Sequence, residues 1–210
     1  EKADIKSMNM EELQTFVVEV LGEKKFRASQ IFEWMHVKLA GSFDEMTNLS
    51  RALREKLNET AFLTRLDIAE KYVSAIDGTT KYLFRLKDDK IIEAVLMRYH
   101  HGNSVCISSQ VGCRMGCRFC ASTLYGLERN MTPSEMLDEI YQVQLDSGER
   151  VSNVVVMGSG EPMVNFENIV RFTELLSCEK GINISQRNLT ISTCGMVPRI
   201  YELADLKLQL

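Results

Sequence analysis

The spacing of apolar residues changes twice along the chain, and each change predicts a different kind of element. Over the first 60 residues the spacing is helical. Leu13, Phe16, Val17, Val20 and Leu21 fall three and four apart, Asn9 with Glu12 has the form of a capping box, and Gly22 supplies a stop. A second helix carries Ile31, Phe32, Trp34, Met35 and Leu39 and turns Arg27, Gln30 and Lys38 outward; a third carries Leu49, Leu53 and Leu57. From about residue 66 the pattern becomes β-like. The runs KYVSAI, KYLFRL and IIEAVLMRY are rich in β-branched and aromatic residues, and Asp77-Gly78 and Lys87-Asp88-Asp89-Lys90 separate them. They predict an antiparallel meander leading into a strand at about 104–108.

Beyond residue 130 strands alternate with helices. Thr132-Pro133 with Glu135 opens a helix to about Leu145, followed by a strand at 153–158, a helix near 166–177, a strand at 189–193, a helix near 198–204 and an apolar run at 206–210. Such alternation implies parallel βαβ units whose strands are buried on both faces, with four strands and three helices counted from Val105. The chain therefore divides into a helical module at 1–62, a β-meander extension or linker at 63–103 and an α/β part at 104–210. A parallel sheet that stops at its last apolar strand leaves an open edge. The expected fold is α/β: a partial (β/α) barrel containing only its first strands, truncated, behind a small helical domain and a meander.

Composition narrows the class more than the chemistry. With 45% hydrophobic and 26% charged residues, 3 Pro and 12 Gly, the chain is an ordinary folded one, long enough for one large domain or a small one joined to part of another. No run reaches the roughly 18 apolar residues of a membrane span, and the start EKADIKSMNM lacks an apolar signal region, so a cytoplasmic protein without membrane partners is expected. A net charge of −4 provides no global basic field for nucleic acid. Local clusters exist at Lys24, Lys25 and Arg27, and at Arg114, Arg118 and Arg129 around the cysteines.

Candidate chemistry begins with Cys113-x3-Cys117-x2-Cys120. Thiolates at this spacing on a loop can converge on a metal centre. Two centres remain open. Structural zinc closes with four ligands, and of His36, His100 and His101 the last two offer one candidate pair about twelve residues upstream of the cysteines. An iron-sulfur cluster held by three cysteines instead keeps one iron open. Downstream, the strand NVVVM runs into Gly158-Ser159-Gly160-Glu161-Pro162, where glycines let a ligand approach the backbone and a carboxylate can accept from an amine. Ser192-Thr193 ends the next strand on the same face.

Together, QVGCRMGCRFCAST at 110–123, MGSGEPM at 157–163 and LTISTCGMVP at 189–198 resemble the radical S-adenosylmethionine (SAM) family that methylates carbon 2 of adenine in RNA, the RlmN type. FRASQIFEWM in the helical module, and DGTTKYLFRL with IIEAVLM in the meander, are similar to that family's N-terminal region, so the resemblance covers nearly all 210 residues. It implies dual-specificity methylation of large-subunit ribosomal RNA and tRNA by a ping-pong scheme that uses two cofactor molecules and a methylated cysteine. By the same resemblance Cys113, Cys117 and Cys120 hold a four-iron, four-sulfur (4Fe-4S) cluster, and the methionyl amine and carboxylate of S-adenosyl-L-methionine take its fourth iron. Gly160, Glu161 and Ser192 contact that cofactor. Cys106 matches the second cysteine, which resolves the covalent RNA adduct, and should sit near the cluster; Glu93 matches the proton acceptor. Cys178 and Cys194 carry no family role and read as packing residues.

The methyl-bearing cysteine, the remaining barrel strands and an Asn of the cofactor site lie beyond residue 210 in the family, so these residues alone are expected not to complete the reaction. A flavodoxin-type electron donor and a monomeric enzyme are implied, with RNA contact expected at Lys24, Lys25, Arg27 and Arg51. Two alternatives stand beside this reading. One is a resistance-type relative that methylates carbon 8 of the adenine and carries Glu-Ala where this chain has Glu161-Pro162. The other is a zinc-binding RNA-interaction module.

Overall fold

Short-range signals build the helical module. In the computed structural model, which describes residues 2–206, the two-residue strand β1 (Ala3–Asp4) precedes α1 (Met10–Glu19). The Asn9 side chain accepts from the Glu12 amide and Glu12 reaches back to the Asn9 amide, completing the expected capping box. Leu13, Phe16 and Val17 are buried, whereas Val20, expected on the same face, is exposed. Helix α2 (Arg27–His36) buries Ile31, Phe32 and Met35 and stops before Leu39, which has φ 55° in the following turn. Helix α3 (Arg51–Thr60), capped by Ser50, buries Leu53 and Leu57 and runs directly into β2 (Ala61–Phe62), which pairs in parallel with β1.

The meander forms as its pattern predicts. Strands β3 (Asp67–Val73), β4 (Thr80–Arg85), β5 (Ile91–Tyr99) and β6 (Gly102–Ile107) pair antiparallel in succession. A short hairpin of β7 (Gln110–Gly112) and β8 (Leu127–Asn130) then carries the cysteine loop on its tip. Helix α4 (Pro133–Ser147), β9 (Val151–Val156), α5 (Phe166–Ser177), β10 (Leu189–Ile191) and α6 (Val197–Asp205) complete the described chain. Thr132 and Glu135 form a second capping box at the start of α4.

All the long strands join one six-stranded sheet in the order β10-β9-β6-β5-β4-β3. Strand β6 pairs antiparallel with β5 on one side and parallel with β9 on the other. The meander is therefore continuous with the α/β part, and the boundary read at 103/104 falls inside β6. The sheet is not closed into a barrel; β3 and β10 are its end strands. Of the apolar run at 206–210, only Leu206 lies within the described residues.

The sheet has one covered face. Ala94, Leu96, Val105, Ile107, Val154 and Val156 are buried in a core shared with Leu137, Ile140 and Tyr141 of α4 and Ile169, Phe172 and Leu176 of α5. On the opposite face Glu93, Val95, Cys106 and Val155 are only half-buried. This corrects the expectation of strands buried on both faces: α4 and α5 cover one side, and the alternation of the pleat leaves the other side accessible.

A buried polar bridge fixes the helical module to α4. The Lys6 ammonium lies 2.8 Å from Asp138, with the two side chains 3% and 1% exposed. Asp138 also accepts from the Leu66 amide, and Lys6 donates to the Thr64 carbonyl. Nearby, His36 is buried with its Nδ1 2.7 Å from the Tyr141 hydroxyl. Burial, with the Lys6 charge adding to it, lowers the His36 pKa to about 3, so the ring is neutral.

Candidate cofactor site

Because β6, β9 and β10 are parallel, their carboxyl ends open on the same side of the sheet. The register aligns Ile107 with Val156 and Val156 with Ile191. Strands β9 and β10 each end two residues before the expected 158 and 193, since the chain turns away from the ladder there. Single bonds still tie the turns down: the Gly158 amide donates to the Ile107 carbonyl (2.9 Å) and the Ser192 amide to the Val156 carbonyl (3.2 Å).

The glycines meet a steric demand. A Cβ on Gly158 would come within 2.7 Å of the Ile107 carbonyl oxygen. Gly160 has φ +105°, and a Cβ there would lie 2.6 Å from that of Gln110.

Ser108 and Gln110 hold this turn, and the sequence reading missed both. The Ser108 amide donates to Glu139 (3.1 Å), its hydroxyl donates to the Glu93 carbonyl (2.8 Å), and the same hydroxyl accepts from the Ser159 amide (3.0 Å). Gln110 accepts from the Glu161 amide (2.8 Å) and donates to Asn130 (2.7 Å), linking the glycine turn to the cysteine hairpin. Glu139 is fully buried, its second oxygen has no partner, and burial pushes its carboxyl well above the usual range.

Across from this turn, the loop 113–126 hangs from β7 and β8, fastened by the Cys113 amide to the Gly126 carbonyl (3.0 Å) and the Cys120 amide to the Cys117 carbonyl (3.1 Å). Cys113, Cys117 and Cys120 are all free thiols. They line one wall of a cavity of about 210 Å³, and Gly160, Glu161 and Ser192 line another. The predicted metal and cofactor residues are thus brought to one place. A larger cavity, of about 490 Å³, lies elsewhere, between the segment after β2 and the end of β4, and contains none of them.

Glu161 is 3% exposed. It accepts from the Met163 amide (3.0 Å) and the Cys194 amide (2.7 Å). Burial alone would raise its carboxyl pKa, but these amides and the Thr193 hydroxyl together outweigh burial and hold it below the ordinary value. The cavity therefore has an ionised carboxylate at neutral pH.

Cys106 and Glu93 do not line the cavity. They share the half-open face of the sheet, where Cys106 sits opposite Val95 and beside Val155. Cys106 adjoins the cavity along β9, since its register partner Val155 directly precedes Val156 and Met157, which line it. Burial is the main reason the Cys106 thiol is raised; the Met157 amide acts against it, and the Glu139 and Glu93 carboxylates act with it. Glu93 pairs with Lys81 at 2.5 Å, both about half exposed.

Cys194 corrects the reading of it as a packing residue. It is exposed, it lines the cavity, and its amide donates to Glu161 (2.7 Å). Desolvation, the Glu161 carboxylate and the neighbouring Cys117 and Cys113 raise the thiol to about 11. The available signal was its position directly after Ser192-Thr193. Cys178 does pack against the core, as expected.

The donor set can be tested against the two candidate centres. Among the described residues, no three His, Cys, Asp or Glu side chains converge as a single bound ion requires; zinc bonds of about 2.3 Å would draw thiolates to about 3.8 Å from one another. A 4Fe-4S cluster takes each thiolate on a separate iron, which suits three free thiols spread around one cavity. The histidines of the zinc reading do not reach the site. His36 is buried against Tyr141, and His100 and His101 lie in the turn before β6, a strand length of roughly 20 Å from the loop.

Of the basic residues, Arg129 is committed to Asp88 and Glu135, Arg51 pairs with Glu55, and Arg27 donates to Gln30 while stacking on exposed Phe26. Lys24, Lys25, Arg114 and Arg118 are exposed. No helix among the described residues is long and apolar enough to cross a membrane.

Comparison with known proteins accounts for both ends of the molecule. Residues 3–63 match the family described as ribosomal RNA large subunit methyltransferase N-terminal domain, and residues 107–209 match the radical SAM superfamily. A Lachnospira eligens protein named probable dual-specificity RNA methyltransferase RlmN is 65% identical over 207 residues, 99% of this chain and 59% of that one. Its counterpart in Lachnoclostridium phytofermentans is 61% identical over 205 residues, 98% of this chain and 57% of that one. The crystal structure of a radical SAM methyltransferase from Sphaerobacter thermophilus superimposes with a TM-score of 0.89 at 38% identity, covering 99% of this chain and 61% of the other. The chain thus spans about 59% of the length of its first curated relative.

Proposed function

We propose that this chain, which belongs to the RlmN family of radical SAM methyltransferases, is the part of an RNA adenine-C2 methyltransferase that holds the 4Fe-4S cluster and S-adenosyl-L-methionine. The observation that carries the proposal is the cavity of about 210 Å³ in which Cys113, Cys117 and Cys120 face Gly160, Glu161 and Ser192. In this reading residues 1–62 are the RNA-facing helical domain, and the meander strands from β3 continue through β6 into the first strands of the barrel.

Cys113, Cys117 and Cys120 would bind three irons. When bound, cluster and cofactor supply the one-electron chemistry needed to functionalise carbon 2 of adenine, which is too weak a nucleophile for ordinary methyl transfer. The Glu161 carboxylate and the Gly160 backbone receive the methionyl amine, and Ser192 makes a further contact. For this the ionised Glu161 exchanges or shares its bond to the Cys194 amide. On the half-open face Glu93 accepts a proton, oriented by Lys81, while Cys106 stands within one residue of the cavity to resolve the RNA adduct. Pro162 after Glu161 supports carbon 2 over carbon 8.

The complete reaction, on large-subunit ribosomal RNA and tRNA with a flavodoxin-type reductant, is proposed for a monomeric cytoplasmic protein of the relatives' length. RNA contact is assigned to exposed Lys24, Lys25 and the Arg27–Phe26 stack. The test is iron, acid-labile sulfide and zinc content of the anaerobically reconstituted protein beside Cys117→Ala. About four irons per chain, lost in the variant, are expected; stoichiometric zinc without iron would overturn the reading.

A further inference from the structure

Four thiols, not three, surround the cavity. Cys113, Cys117 and Cys120 come from the hairpin loop, and Cys194 comes from the opposite wall, past the end of β10. Cys194 is exposed, lines the same cavity as Cys113, Cys117 and Cys120, and engages Glu161 through its amide (2.7 Å). Glu161 is the carboxylate assigned above to the methionyl amine, so one residue touches both things the cofactor requires: the carboxylate and the space beside the loop thiols.

Three cysteines leave one iron of a 4Fe-4S cluster without a protein ligand. Among the groups on that wall, the hydroxyls of Ser192 and Thr193 are hard donors, whereas a thiolate is the soft donor that iron-sulfur centres prefer. We propose that Cys194 is a fourth thiol ligand of the cluster site, bound while S-adenosylmethionine is absent and displaced when it binds. This rests on the cluster reading above. As the sulfur-iron bond forms, the thiol proton passes to Glu161 or water and no electrons are transferred. When the amine and carboxylate of the cofactor arrive, that bond breaks and the sulfur regains a proton. The cofactor-free site is thereby closed twice over, with the open iron capped by the thiolate and Glu161 covered by the Cys194 amide.

The experiment reconstitutes the 210-residue chain anaerobically as wild type, Cys194→Ala and Cys194→Ser, and compares Mössbauer spectra with and without S-adenosylmethionine, together with the cofactor's Kd. Wild type is expected to show four equivalent sulfur-ligated irons without cofactor and one altered iron in its presence. Both variants are expected to show the distinct iron from the start. Cys194→Ala binds the cofactor at least about fivefold more tightly, since no sulfur-iron bond has to be displaced. Cys194→Ser, which keeps a hydroxyl for Glu161, follows Cys194→Ala in its spectrum and lies between it and wild type in affinity. If all three proteins load iron and give identical spectra with a distinct iron before cofactor is added, Cys194 is no ligand and this proposal alone fails. If wild type takes up no iron and sulfide, the cluster reading fails and takes the proposal with it.

Discussion

Two buried carboxylates, Asp138 under α4 and Glu161 at the strand ends, are both nearly inaccessible, yet their partners differ in kind. Asp138 is held by the Lys6 ammonium, the Leu66 amide and Gln142, and itself lines neither of the cavities described above. Glu161 is held by the amides of Met163 and Cys194, in turns that border a cavity. The first arrangement leaves no room for an outside ligand and joins two parts of the fold. The second satisfies the charge with groups that a ligand can replace. Burial of a charge therefore does not distinguish a structural lock from a binding site; the placement of the groups that pair with it does.

The comparison can be broken at four points. Lys6→Ala leaves Asp138 buried and unpaired, and is expected to lower stability by about 3–5 kcal/mol in urea unfolding, while iron uptake per folded chain stays unchanged; loss of iron at full stability would reverse the assignment. Glu161→Ala removes the acceptor of two amides that water can partly replace at the cavity. Its expected stability cost is about 1–3 kcal/mol, with cofactor binding abolished in equilibrium dialysis.

A third test uses acid. Folded His36 stays neutral down to about pH 3, whereas the unfolded ring takes a proton below its ordinary value of 6.5. Acid therefore favours the unfolded chain, and each pH unit below that value removes up to about 1.4 kcal/mol. His36→Phe should flatten this dependence, and an unchanged slope would show that His36 is not its source. The smallest effect is expected of Lys81→Ala, whose half-exposed pair with Glu93 contributes under about 1 kcal/mol to stability; a larger loss would place that pair with the structural locks.

What could be read from the chain was short-range. The capping boxes at Asn9/Glu12 and Thr132/Glu135 lie within single turns, and the cluster cysteines are eight residues from first to last. Ser108, Gln110 and Glu139 were invisible because their roles depend on partners brought close by the sheet: Ser108 meets Ser159 across 51 residues and Glu139 across 31. Cys194 was misread for the same reason, since nothing in LTISTCG indicates that its neighbour is Glu161. The strand register was legible only as alternation, which could not say that one face of β9 would lack a covering helix. Nor could the chain show that His36 is buried against Tyr141, 105 residues away.

Strand β6 has one consequence for how the chain reaches this structure. Its antiparallel partner β5 precedes it by a two-residue turn, and β4 and β3 are similarly local, whereas β9 arrives only after the cysteine hairpin and α4. Hairpins form in about 1–10 μs, and pairings that close long loops are slower. The meander is thus expected to form before the parallel strands are laid on it, and in stopped-flow refolding substitutions at Leu96 or Val105 should slow folding while substitutions at Leu189 mainly speed unfolding. The cysteine loop receives its opposite wall last, and cluster insertion belongs to the end of that sequence rather than its beginning.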